Sequence, residues 1–193
     1  TDRFIGKQAS TDFGSGVDDT RGVAAGDLNN DGHLDIVAGN YDVTNIAYLS
    51  NGAGSSAGTD RLGNPDVTYN TRDVALGDLD GTGTLDVVTV NGTDTDGQPE
   101  PDMLYFNDGS GKFPDSEPLD MDDAPSTSVA IADMNNDTHL DIIVGREHSD
   151  SDATYRNQVY FNDGDGIFFT SVPFGSTSGT TLDVMTADIN VDG

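Results

Sequence analysis

The chain has 193 residues, 35 acidic against 8 basic, a formal charge of -27 and no cysteine. Disulfides and thiolate metal sites are therefore excluded, and so is a basic surface for nucleic acid or an anionic membrane. The acid is almost all aspartate, with Glu100, Glu117 and Glu147 as the only glutamates beside 24 glycines; Asp favours turns and hard-metal sites over helices, so a helical bundle is not expected.

No apolar run approaches the roughly 18 residues of a membrane span, and no membrane insertion is expected. The hydrophobic residues, 34% of the chain, fall in short regular runs that can pack, which argues against disorder. The charge excess with two lysines fits a protein adapted to high salt.

In chain order, residues 1–10 read as an outer strand, because Thr1-Asp2-Arg3-Phe4 repeats in kind at Thr59-Asp60-Arg61-Leu62. A short apolar strand (Val23–Gly26) then leads into Asp27-Leu28-Asn29-Asn30-Asp31-Gly32-His33-Leu34-Asp35, and a second apolar strand, Leu34–Gly39, leaves it. The same sentence returns from Asp78 to Asp86, from Asp133 to Asp141, and begins again at Asp188-Ile189-Asn190-Val191-Asp192. The first aspartates of successive copies are 51, 55 and 55 residues apart. A second motif keeps the beat: Tyr48-Leu49-Ser50-Asn51-Gly52, Tyr105-Phe106-Asn107-Asp108-Gly109 and Tyr160-Phe161-Asn162-Asp163-Gly164.

Each unit reads as four strands. The first strands are Val23–Gly26, Val74–Gly77, Val129–Ala132 and Val184–Ala187. The second are Leu34–Gly39, Leu85–Val90 and Leu140–Gly145, apolar on both faces as strands packed between layers are. The third strands end in the Tyr motif, whose Asn-Asp-Gly type turn suits a hairpin. The fourth follow at about 112–119 and 167–174, with the weakest signal near Val67–Asn70. Four antiparallel strands per roughly 50 residues is the unit of a β-propeller blade. The expectation is an all-β, partial propeller of about three and a half repeats: an outer strand over 1–10, blades over 20–70, 71–120 and 126–175, and the start of another over 182–193. A closed ring takes about 4–8 blades, so the chain is expected to be a fragment or to self-associate to complete the propeller.

The chain resembles the FG-GAP/VCBS repeat of integrin α propellers, some lectins and many microbial surface proteins. The resemblance rests on Gly-Asp-x-Asn-x-Asp-Gly-x-Leu-Asp followed by an apolar strand, as in Gly26–Val37, with Phe13-Gly14 as a faint echo of the Phe-Gly element.

Within each loop, alternate residues carry short oxygen-bearing side chains that can face one centre. In the first these are Asp27, Asn29, Asp31 and Asp35, with His33 offering its backbone carbonyl. In the second they are Asp78, Asp80, Thr82 and Asp86, with the Thr84 carbonyl. In the third they are Asp133, Asn135, Asp137 and Asp141, with the His139 carbonyl. The fourth has Asp188, Asn190 and Asp192. Hard oxygen donors without Cys select Ca²⁺ over Zn²⁺. An EF-hand needs an acidic ligand at position 12, where this chain has Ala38, Thr89 and Val144. The closing residue is instead the Asp at position 9. The first loop is expected to be strongest and the second weakest, because Thr82 replaces a carboxylate. In the third, Thr138 stands where the others have a turn glycine.

The rest of the sequence is weaker. Tyr48, Tyr105 and Tyr160 are expected to pack between blades. Asn91-Gly92-Thr93 is a candidate N-glycosylation site. His148, Tyr155 and Arg156 form the one set that could serve a proton-abstracting polysaccharide lyase. No nucleophilic triad or phosphate loop is visible. The resemblance implies a Ca²⁺-stabilised binding or adhesion module, extracellular or at the cell surface, with a glycan or an extracellular protein as partner. A lyase and a structural subunit of a surface layer or filament are the alternatives.

Overall fold

A computed structural model describes residues 18–52, 56–64, 66–119, 124–147, 155–168, 170–175 and 179–187. All regular elements among them are β-strands, twelve in number. Blade one holds β1 (Asp19–Gly26), β2 (Asp35–Val43), β3 (Ile46–Ser50) and β4 (Ser56–Arg61). Blade two holds β5 (Tyr69–Gly77), β6 (Asp86–Asn91), β7 (Met103–Phe106) and β8 (Asp115–Pro118). Blade three holds β9 (Ser126–Ala132), β10 (Asp141–Arg146), β11 (Asn157–Phe161) and β12 (Thr170–Phe174). Within each blade consecutive strands pair antiparallel. Blades one and two are also joined edge to edge, because β2 runs on to pair with β5 at Tyr41–Asn70 and Val43–Tyr69. Blade three is a separate four-stranded sheet. This is the all-β architecture of an incomplete propeller.

The repeat in sequence is a repeat in register. Gly26 faces Asp35, Gly77 faces Asp86 and Ala132 faces Asp141. Each Asp loop therefore closes the hairpin between the first and second strands of its blade at the same rung.

Burial follows the apolar pattern. β6 and β10 are buried at all six positions. Val87 joins a core with Leu28, Val37, Ala47 and Leu62 of blade one, while Val88 and Val90 join one with Val129, Ile142 and Val144 of blade three. One strand thus feeds two interfaces, as its two-sided hydrophobicity requires. Tyr105 and Tyr160 lie in these cores, and Tyr48 is 7% exposed, so the recurring tyrosine is a packing residue. Among the described residues, Val23 on the far face of blade one is 62% exposed, whereas its counterparts Val74 and Val129 are 6% and 7% exposed.

Three expectations are corrected. The outer strand of blade one is β4, not a segment near Val67–Asn70; Tyr69 and Asn70 open β5. The outer strands β8 and β12 are exposed at every position and fall within 112–119 and 167–174, where the sequence placed them. Residues 184–187 form no strand, since a first strand pairs with the second strand of its own blade and none is present there among the described residues. They are nevertheless docked: Thr181 donates N–H to the Arg146 carbonyl at 3.1 Å, and Thr181 and Val184 pack over Gly145 as Thr71 and Val74 pack over Gly39. Finally, Asn91 is fully buried. Its side chain donates to the Pro101 carbonyl at 2.6 Å and accepts from Thr71 at 2.8 Å, which removes it as a glycosylation site. The strand over 1–10, Phe13-Gly14, His148 and the loop of Asp188, Asn190 and Asp192 lie outside the described residues.

Candidate metal centre

The three Asp loops share one backbone path. Position 4 takes positive φ in each (Asn30 at 56°, Gly81 at 72°, Asn136 at 60°), and so does position 6 (Gly32 at 83°, Gly83 at 84°, Thr138 at 78°). Two left-handed residues separated by one fold the chain back on itself and turn alternate side chains to the same side. Asn and Gly tolerate that conformation; a β-branched Thr does not.

The aspartate at position 9 is the hub. Asp35, Asp86 and Asp141 are each fully buried. One oxygen accepts the N–H of position 2 in the same loop: Leu28 to Asp35 at 2.9 Å, Leu79 to Asp86 at 2.9 Å and Met134 to Asp141 at 2.7 Å. The other accepts the N–H at the end of the third strand: Ser50 at 2.7 Å, Asn107 at 2.9 Å and Asn162 at 3.0 Å. A carboxylate oxygen has two lone pairs, so each Asp clamps the loop to the third strand and keeps capacity for a cation. The sequence reading gave this residue only the ligand role.

The loops differ in how their exposed rims are satisfied. In the first, Asp27 accepts from the N–H groups of Asp31 (3.1 Å) and Gly32 (2.9 Å), and Asp31 accepts from His33 N–H at 2.9 Å. The third repeats this with Asp133, Asp137, Thr138 and His139. Asp137 has its carboxyl held below the ordinary range by the His139 N–H and the Asn135 amide. The second loop departs from the pattern. Thr82 N–H donates to Asp80 at 3.1 Å, as Asp31 does to Asn29 and Asp137 to Asn135, but not also to position 1, so Asp78 receives only Gly83 N–H, at 3.0 Å. Asp78 Oδ1 is left buried without a hydrogen-bond partner.

Asp78, Asp80 and Asp86 each place one carboxylate oxygen within 4.8 Å of the other two, and among the described residues no other trio of acidic side chains does so. Burial pushes the Asp86 carboxyl up to about 6, with the Asp80 charge adding to the rise against the hydrogen bonds from Asn107 and Leu79. Such a group is short of positive charge. The loop ranked last by sequence is thus the one whose carboxylates converge, because the acid lost at Thr82 is restored by Asp80 where the other loops carry Asn29 and Asn135. Oxygen donors of this kind suit a hard divalent cation.

The position-7 side chains also have a use that sequence did not reveal. A Cβ on Gly52 would collide with the His33 ring, and one on Gly164 with the His139 ring. Thr84 covers Gly109 in the same way, its Cγ2 lying 3.3 Å from such a Cβ. Position 7 therefore caps the glycine turn after the third strand, and the Asp loop rests on that turn.

No curated protein matches the chain. Residues 27–89, which run from Asp27 of loop one past Asp86 of loop two, match the model of the FG-GAP-like repeat. The match covers that stretch alone, and the phased loops and four-stranded blades around it are consistent with an FG-GAP-like repeat.

Proposed function

We propose that this β-propeller-type module is stabilised by Ca²⁺ in its Asp loops and acts outside the cell or at its surface in binding or adhesion, with a glycan or an extracellular protein as partner. The observation that carries the metal reading is loop two. Three carboxylate oxygens lie within 4.8 Å of one another, and Asp78 Oδ1 is buried with no donor. Asp78, Asp80 and Asp86 would hold the ion there, and a divalent charge would relieve their repulsion. In loop one Asp27, Asn29, Asp31 and Asp35 form the donor set, and in loop three Asp133, Asn135, Asp137 and Asp141, with His33 and His139 offering carbonyls. The residues do the rest themselves: each position-9 Asp fixes the loop to the third strand, and each position-7 side chain seats it on the turn.

The binding role rests on the match to the FG-GAP-like repeat. Self-association to extend the ring is part of the same reading, because Val23 and Leu34 stand 62% and 69% exposed at positions that another blade would cover. A glycan array probed with and without EDTA tests it. Retention of specific glycans that fades on chelation supports the whole reading. Equal, non-specific retention in both buffers rejects it.

A further inference from the structure

The three loops are not separate sites, because one chain of hydrogen bonds runs through them all. It begins at Asp35, whose carboxylate accepts Leu28 N–H at 2.9 Å. The Leu28 carbonyl accepts the side-chain amide of Asn107 at 2.8 Å, crossing from blade one to blade two. Asn107 N–H donates to Asp86 at 2.9 Å, and Asp86 accepts Leu79 N–H at 2.9 Å. The Leu79 carbonyl accepts the Asn162 amide at 2.7 Å, crossing from blade two to blade three. Asn162 N–H donates to Asp141 at 3.0 Å, which accepts Met134 N–H at 2.7 Å. Leu28, Leu79, Asn107 and Asn162 are all buried, so water does not compete for these bonds.

We infer that Asn107 and Asn162 are coupling residues that make ion binding in neighbouring loops positively cooperative; the inference rests on the metal reading above. Leu28 sits between Asp27 and Asn29, the first two donors of loop one, and Leu79 between Asp78 and Asp80 of loop two. An ion that fixes those donors fixes the intervening N–H and C=O, which are links of the chain. Asn107 then holds Asp86 against a loop already ordered on its other side, and the second ion has less disorder to remove. Blade one marks the contrast. Ser50 occupies the position of Asn107, its hydroxyl accepts Gly52 N–H at 3.1 Å as Asn107 Oδ1 accepts Gly109 N–H at 2.9 Å, and it has no amide to reach a preceding blade.

The test is calorimetric titration of Ca²⁺ into the full chain carrying Asp137→Ala, so that loops one and two remain. Adding Asp31→Ala, which disables loop one, is expected to weaken loop two by about fivefold, the low end of ordinary coupling. With Asn107→Ser also present, Asp31→Ala should alter loop two by less than about twofold. Ser is the native choice in blade one and preserves the turn acceptor. Asn162→Ser, tested with loop three in place of loop one, is the parallel experiment if Asn107→Ser fails to fold. Loop-two affinity that ignores Asp31→Ala in the Asn107 chain, or depends on it equally in the Ser variant, overturns the coupling while leaving the metal reading intact. No saturable heat in any chain overturns both.

Discussion

Asn107 donates its side-chain amide to the carbonyl of Leu28, 79 residues earlier, at 2.8 Å. The same NH₂ reaches the Leu85 carbonyl at 2.9 Å, while its oxygen accepts the N–H groups of Gly109 and Gly111. One buried side chain thus joins two blades and a turn. Asn107→Ala leaves several of these groups unpaired and is expected to cost about 2–4 kcal/mol, given roughly 1–3 kcal/mol for a buried unsatisfied group. Urea unfolding measures it. A loss below about 0.5 kcal/mol would show that the bridge is dispensable.

The position-9 aspartates and the rim aspartates should separate in the metal-free chain. Asp35 clamps Leu28 and Ser50 whether or not an ion is bound. Asp35→Ala is therefore expected to destabilise the chain by about 3 kcal/mol already in EDTA, and by about 1–2 kcal/mol more in Ca²⁺ because the loop-one ion is lost as well. Asp31 accepts only from groups at the exposed rim. Asp31→Ala should cost little in EDTA and about 1–2 kcal/mol in Ca²⁺, from loss of ligand binding. Thermal melts of both variants in both buffers provide the comparison, and identical behaviour of the two would contradict it.

Thr138 is a β-branched residue at φ 78°, where the other two loops have glycine. Such strain costs on the order of 1–3 kcal/mol, and glycine gives back part through chain entropy. Thr138→Gly keeps the N–H that Asp133 accepts. It is expected to raise stability by about 1 kcal/mol, read as a higher urea midpoint with an unchanged slope.

Gly164 combines φ 98° with the His139 ring in the space a Cβ would fill. Gly164→Ala is expected to cost about 2 kcal/mol or more, and His139→Ala should relieve part of that cost in the double variant. Additive losses in unfolding experiments would show that the ring and the turn do not interact.

The sequence made the blades legible because β2, β6 and β10 carry apolar residues on both faces and recur in phase with the Asp loops. The outer strands were less evenly legible: β8 and β12, though fully exposed, fall where the sequence placed them, whereas β4 was placed some ten residues late. The oxygen-bearing positions of each loop were also readable, but their division of labour was not. Asp35, Asp86 and Asp141 look like ligands in a line of text, and only the fold brings Ser50, Asn107 and Asn162 to their free oxygens. The Asn107–Leu28 bridge spans 79 residues, and no local pattern points to it. Loop two was ranked last on Thr82, which is visible in sequence, whereas the approach of Asp80 to Asp78 and Asp86 is a property of the folded loop.

The most direct test of the central claim is the melting temperature of the full chain in millimolar Ca²⁺ against EDTA, at fixed ionic strength. At ten times its dissociation constant an ion adds about 1.4 kcal/mol per loop, and each 1 kcal/mol shifts a domain of this size by roughly 2–4 °C. Three filled loops should therefore raise the midpoint by about 10 °C, with most of the gain lost in Asp78→Asn combined with Asp31→Ala. An unchanged midpoint, with no binding heat at any loop, would contradict the account.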